Sequence, residues 1–166
     1  TKSGSTAETV GQFLIFYERF VKKLGGHKAA AKHFVLTTDP QNGPLRKLAE
    51  AKGFATLPVP ANVGGRFSVF SPVGLFPAAL AGMKIDALLQ GSAAAVANAL
   101  DENFWRSPAL IGAALHFLHY QHGRVMAVMM PYANALYRVA DWFRQLWAES
   151  LGKAVDNMGE CVNVGP

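Results

Sequence analysis

HFVLTTDPQNGPLRKLAEAKGFATLPVP, residues 33–60, holds strand and helix signals in alternation. His33 to Thr38 is a short run rich in β-branched and aromatic residues, closed by the turn signal Asp39-Pro40, and it predicts a strand. From Gly43 to Lys52 the apolar positions Leu45, Leu48 and Ala49 recur at helical spacing, with Gly53 as the stop. Phe54 to Val59 predicts a second strand, and a loop holding Pro60 and Gly64-Gly65 follows. Strands alternating with helices predict an α/β fold with a parallel sheet.

Before this stretch, residues 7–24 carry Val10, Phe13, Leu14, Tyr17, Phe20, Val21 and Leu24 at helical spacing, and Gly25-Gly26 ends that helix. Residues 71–81 are apolar nearly all round, which predicts a buried helix. An Ala-rich helix is expected over 85–100, and another over 108–122 with Leu110, Ala114, Leu115 and Leu118 on one stripe. Arg124 to Met130 (RVMAVMM) predicts a fully buried strand. The helix expected over 132–148 turns Leu136, Val139, Ala140, Phe143, Leu146 and Trp147 inward, and the chain from Leu151 reads as irregular. No short-period repeat is present, and a boundary is expected near residues 91–108.

Composition narrows the function classes. Of 166 residues, 51% are apolar and 16% charged, enough apolar matter for a sizeable core and against disorder. The best apolar run, Val125 to Met130, is broken by Pro131 and falls far short of the roughly 18 residues of a membrane span, so no membrane partner is expected. Sixteen Lys and Arg against eleven Asp and Glu leave a net charge of +5. That suits an anionic partner but is too mild to imply nucleic acid, and the positive residues are scattered. The single Cys161 excludes an internal disulfide and a Cys-based zinc finger. With no signal peptide the expected compartment is the cytoplasm. A start at Thr1 and an end at Gly165-Pro166 suggest a piece of something longer.

Three patterns carry chemistry. Thr1-Lys2-Ser3-Gly4-Ser5-Thr6 places four hydroxyls and an ammonium directly before a helix, and Glu8 complements the helix dipole. Hydroxyls and open helix N–H groups are the donors that a phosphate dianion needs. The plainer alternative is Thr6 or Ser5 acting as an N-cap. The loop lacks the G-x-x-x-x-G-K-[ST] spacing of a nucleotide P-loop. Second, Gly64-Gly65 before Arg66 allows close backbone approach to a ligand and aims a fixed cation at it, the alternative being a solvated arginine. Third, Gln145 and Glu149 are four apart on one helix face, with Glu149 at the edge of the apolar set formed by Phe143, Leu146 and Trp147. Partial desolvation there would raise the carboxylate's proton affinity and suit a general base, the alternative being a solvated glutamate. His116, His119 and His122 are three apart but have no acidic or Cys companion nearby, so they read as surface or interface residues rather than metal ligands. Cys161 has no neighbouring histidine to make it a nucleophile.

Taken together, these stretches resemble the glucose-6-phosphate isomerase family. TKSGSTAET resembles its phosphate loop, with Thr1 where the family usually has Ser. Ala61 to Gly74 resembles the family's signature, and Gln145-Leu-Trp-Ala-Glu149-Ser150-Leu-Gly152-Lys153 resembles the form in which it carries its catalytic glutamate. Met130-Pro131-Tyr132 resembles a strand end, and all of these fall in the family's order.

The resemblance implies a sugar isomerase-type three-layer α/β/α sandwich with a parallel sheet, incomplete in this segment. Residues 1–92 would form most of a first subdomain, 93–123 connecting helices, and 124–166 the start of a second. It implies reversible conversion of glucose 6-phosphate to fructose 6-phosphate through a cis-enediolate, in glycolysis and gluconeogenesis, with no metal and no cofactor. Glu149 would be the base and Arg66 the enediolate stabiliser. Thr1, Lys2, Ser3 and Thr6 would bind the phosphate, and Gln145 and Gly65 the rest of a phosphorylated hexose.

In that family a histidine in an Asp-Gln-His context, from the neighbouring subunit of a homodimer, opens the ring, and a lysine near the C-terminus assists. None of the five histidines follows Asp-Gln, and no lysine follows Lys153. Residues 1–166 alone are therefore expected to be inactive and poorly folded. Two alternatives stand beside the isomerase: a non-catalytic phosphosugar-binding module, which would need neither Gly64-Gly65-Arg66 nor Glu149, and an isomerase that also accepts mannose 6-phosphate.

Overall fold

In the computed structural model, which describes residues 1–165, the chain divides after Asp86 into two compact units. The first opens with α1 (Ala7–Leu24) and the short α2 (His27–Ala31). Then follow β1 (Val35–Thr38), α3 (Pro44–Lys52) and β2 (Ala55–Pro58), the strand–helix–strand order expected from residues 33–60. The two strands pair in parallel, Val35 opposite Ala55 through Thr38 opposite Pro58. Two strands cannot hydrogen-bond in parallel without a crossover, and α3 is that crossover.

The core of this unit is small and aromatic on one side. Ala31, Leu36, Leu45, Ala49 and Phe54 are buried together, and Phe13, Tyr17, Phe34 and Leu48 pack against them. Phe13 and Tyr17, one helical turn apart on α1, meet Phe34 and Phe54 edge-on at centroid distances of 5.2–5.7 Å. Such edge-to-face pairs add to the area they bury. The expected inward positions of α1 are partly or well covered with one exception: Leu14 is 56% exposed. Arg46 fastens α3 to β2, donating to Glu50 one turn on (2.8 Å) and to the Thr56 hydroxyl (3.0 Å).

A 3₁₀ turn over Gly65–Phe70 leads into α4 (Pro72–Leu80), capped by the Ser71 hydroxyl, which accepts from the Val73 N–H at 3.2 Å. The helix expected over 71–81 is not a buried one. The helix forms, but it buries none of its residues, and Leu80 is 74% exposed. An all-round apolar pattern sets the demand for burial; the elements that meet it have to come from elsewhere.

The second unit begins within α5 (Ile85–Ala99) and continues through a short 3₁₀ turn to α6 (Pro108–Gln121), capped by the fully buried Ser107. The strand expected over 124–130 is not present: the segment is irregular, and Met126 is 89% exposed. A strand exists only through its ladder, and no described segment pairs with this one. The following helix is later than expected. A 3₁₀ turn at Asn134–Leu136 leads into α7 (Tyr137–Leu151), which buries none of its residues. The tail expected to be irregular instead forms an antiparallel hairpin, β3 (Lys153–Val155) with β4 (Cys161–Val164). The Asp156 carboxylate closes its turn, accepting from the N–H groups of Met158 and Glu160 at 2.8 and 3.0 Å. No helix among the described residues is long and apolar enough to cross a membrane.

Candidate active site

The opening loop lies across the end of β1. Thr1 N donates to the Thr37 carbonyl, and the Lys2 carbonyl accepts from Asp39 N (3.0 Å) and from the Thr38 hydroxyl (3.2 Å). The loop also presses on the start of α3. Gly4 has φ +71°, and a Cβ there would stand 2.7 Å from Leu45 Cβ; a Cβ on Gly43 (φ +99°) would stand 2.6 Å from the Ser3 carbonyl. Only glycine fits either position, by both conformation and space.

The loop's hydroxyls converge. Thr1 Oγ1 lies 2.6 Å from Thr6 Oγ1 and 3.4 Å from Ser3 Oγ, and the Ser5 hydroxyl donates to Ser3 Oγ at 2.9 Å. Thr6 stands at the N-cap position of α1, but its side chain makes no capping bond. The N-cap alternative is therefore not what its hydroxyl does: the hydroxyl joins the cluster, and no Thr6 cap bond occupies the first N–H groups of an 18-residue helix. Glu8 lies in that first turn.

Beneath the loop is a cleft of about 680 Å³. Thr1, Lys2, Ser3 and Thr6 line one side, and Val63, Gly65 and Ser68 another. Asp39 and Asn42 also line it, and sequence reasoning missed them. The signal was there, because Asp39-Pro40-Gln41-Asn42 is the turn leaving the C-terminal end of a parallel strand, where α/β sheets place their ligands. The Asp39 carboxylate accepts from the N–H groups of Gln41 and Asn42, each at 2.8 Å. Those two bonds hold it below the usual carboxylate range, with smaller help from Lys2 and Arg46.

Lys2 does not spend its donors on the cluster. Its Nζ donates to the carbonyls of Ala61 and Val63, at 2.5 and 3.1 Å. Those residues lead into the tight turn that carries Arg66. The half-buried arginine has its guanidinium 5.1 Å from the Phe67 ring centroid. The turn is closed by Phe67 N donating to the Gly64 carbonyl (3.1 Å) and by the buried Ser68, whose hydroxyl donates to the Gly65 carbonyl (2.6 Å).

In the second unit, Gln145 Nε2 donates to Glu149 Oε1 at 2.9 Å, as their spacing on α7 allows. Glu149 is exposed, so the desolvation expected from Phe143, Leu146 and Trp147 is not supplied by its own helix. Lys153 Nζ collects the last carbonyls of the helix, those of Glu149, Ser150 and Gly152, at 2.9–3.4 Å. That cation complements the negative end of the helix dipole. The histidines of α6 have separate neighbours. His116 lies against Trp147 (4.8 Å between ring centroids), and His119 Nδ1 accepts from the Arg124 guanidinium at 2.9 Å.

Residues 1–165 match the family model described as phosphoglucose isomerase. A glucose-6-phosphate isomerase of Carboxydothermus hydrogenoformans is 49% identical over 99% of this chain and 35% of its own length. That of Rubrobacter xylanophilus is 52% identical over 92% of this chain and 35% of its own length. A crystal structure of a hypothetical protein from Thermus thermophilus superposes with a TM-score of 0.89 at 42% identity, covering 99% of this chain and 38% of that one. The chain thus spans about a third of the length of the curated relatives it matches.

Proposed function

The chain belongs to the phosphoglucose isomerase family, and from that premise we propose that the whole protein interconverts glucose 6-phosphate and fructose 6-phosphate. The observation that carries this reading is the hydroxyl cluster of Thr1, Ser3 and Thr6 over the start of α1, at the mouth of a cleft large enough for a phosphorylated hexose. Hydroxyls and helix N–H groups anchor the phosphate dianion there. That anchor lies remote from the reacting carbons and helps hold them in place.

The chemistry is proton transfer next to a carbonyl. Once the ring is open, Glu149 removes the proton from C2, a cis-enediolate forms, and the same carboxylate returns the proton at C1. Arg66 stabilises the charge that develops on the enediolate oxygens. The Gln145 amide orients Glu149 and the substrate, and Gly65 admits the sugar close to the backbone. Ring opening falls to a histidine from a second subunit, so the working form is a cytoplasmic homodimer that needs no cofactor. Residues 1–92 form most of the first sugar isomerase subdomain, 93–123 connecting helices, and 124–166 the start of the second. The 166 residues alone lack the ring-opening histidine and have no turnover.

The test is a substrate panel on the full-length protein. Turnover of fructose 6-phosphate is expected, and activity on mannose 6-phosphate beside it would widen the specificity. Binding of phosphosugars with no isomerisation of any would instead identify a non-catalytic binding module.

A further inference from the structure

We infer that Lys2 is a positioning residue that couples capture of the phosphate to the placement of Arg66; the inference rests on the phosphosugar reading of the cleft. Lys2 sits in the middle of the phosphate loop, its carbonyl held by Asp39 N and the Thr38 hydroxyl. Its side chain crosses to the other wall, where the ammonium clasps the carbonyls of Ala61 and Val63. These are neutral acceptors, so the lysine serves as a two-point clasp between the loop and the 61–63 segment.

Whatever moves 61–63 moves Arg66. Val63 is followed at once by Gly64-Gly65-Arg66, and the turn that begins there is closed on itself by the Phe67–Gly64 and Ser68–Gly65 hydrogen bonds. Gly64-Gly65 carries no side chains that could fix the turn from the cleft side, so the clasp at 61–63 supplies a fixed point. An anion settling on the Thr1, Ser3 and Thr6 hydroxyls orders the loop, and the Lys2 side chain transmits that order to the arginine's turn. Placement at the level of 1 Å is worth about 10²-fold in rate when a catalytic group is involved.

The experiment uses the full-length protein, with inorganic phosphate as the probe and amide hydrogen exchange as the readout. In the wild type, phosphate should slow exchange over residues 3–9 and also over 61–66. In Lys2→Met, phosphate should still protect 3–9 with affinity within about threefold of wild type, while the effect on 61–66 disappears. Steady-state kinetics should then show kcat down by about tenfold or more, with KM for fructose 6-phosphate little changed, and Lys2→Arg should restore most of the loss. If Lys2→Met does not fold, Lys2→Gln serves for the same measurements. Persisting protection of 61–66 in the variant overturns the inference. So does a tenfold or larger loss of phosphate affinity at unchanged kcat, which would make the ammonium a direct phosphate ligand. A wild type with no isomerase activity would sink the isomerase reading, and the exchange data alone would then decide the clasp.

Discussion

The two units treat their chemistry-bearing groups differently. In residues 1–86, two segments that line the cleft are tied to their own unit: the loop meets β1 and the start of α3, and the residues leading to Arg66 are held by Lys2 and Ser68. In the second unit, Glu149 is fixed to Gln145, but it stands exposed on a helix that buries none of its residues. Binding a dianion needs converging donors, which one loop and one helix start can furnish locally. Tuning a carboxylate as a base needs a low-dielectric surround, which takes several elements at once. A third of a relative's length can therefore hold a converged hydroxyl cluster in one unit and leave the Glu149 carboxylate exposed in the other.

The sharpest way to break that contrast is Glu149→Gln in the full-length protein. The amide keeps the shape and the Gln145 contact but cannot accept a proton. Turnover should fall by about 10²–10⁴-fold, while phosphosugar affinity stays within a few-fold. Near-normal kcat would remove Glu149 from the base role.

Gly4→Ala attacks the first unit's self-sufficiency. A side chain at φ +71° costs about 1–3 kcal/mol, and this one also meets Leu45. Denaturant unfolding should show a loss of about 2 kcal/mol or more for the cooperative unit containing residues 1–86, together with weakened phosphate binding. An unchanged midpoint would show that the loop is not seated on α3.

Thr6→Val is milder. It removes one member of the hydroxyl cluster without changing shape. Hydrogen bonds to a charged partner are worth about 1.5–3 kcal/mol, so phosphate affinity measured by calorimetry should fall about tenfold or more, and Thr6→Ser should recover most of it. Equal affinity in both variants would show that the Thr6 hydroxyl makes no contact with the anion.

The same contrast explains what the sequence revealed. The β1–α3–β2 unit was legible because its strands, crossover and stops are local, and Phe13, Leu45, Leu48 and Ala49 all face the core side as their spacing required. RVMAVMM has a strand's composition but is not one, because a strand needs partners, and none of the described residues pairs with it. The 153–164 hairpin leaves little trace in the sequence because its strands have three and four residues, too few for alternation to register. The hydroxyl loop was visible in composition. The clasp by Lys2 was not, because its acceptors are backbone carbonyls some sixty residues on, which leave no mark in residue type.

The smallest expected effect concerns Asp39, which lines the cleft. Its carboxylate is held below its usual value first by the Gln41 and Asn42 N–H groups. A depressed acid contributes to the turn fully above its ordinary pKa of about 3.9, and that contribution is lost as pH falls through the lower folded value. NMR titration of the Asp39 carboxyl in the unliganded full-length protein should therefore give a midpoint below about 3.9. Asp39→Asn keeps an oxygen to accept both N–H groups but has no proton to gain, so the acid dependence of the turn should vanish. Removing a negative charge from the cleft should also tighten inorganic phosphate binding slightly at neutral pH. A wild-type midpoint at or above the ordinary value would mean that the Asp39 turn is not preformed.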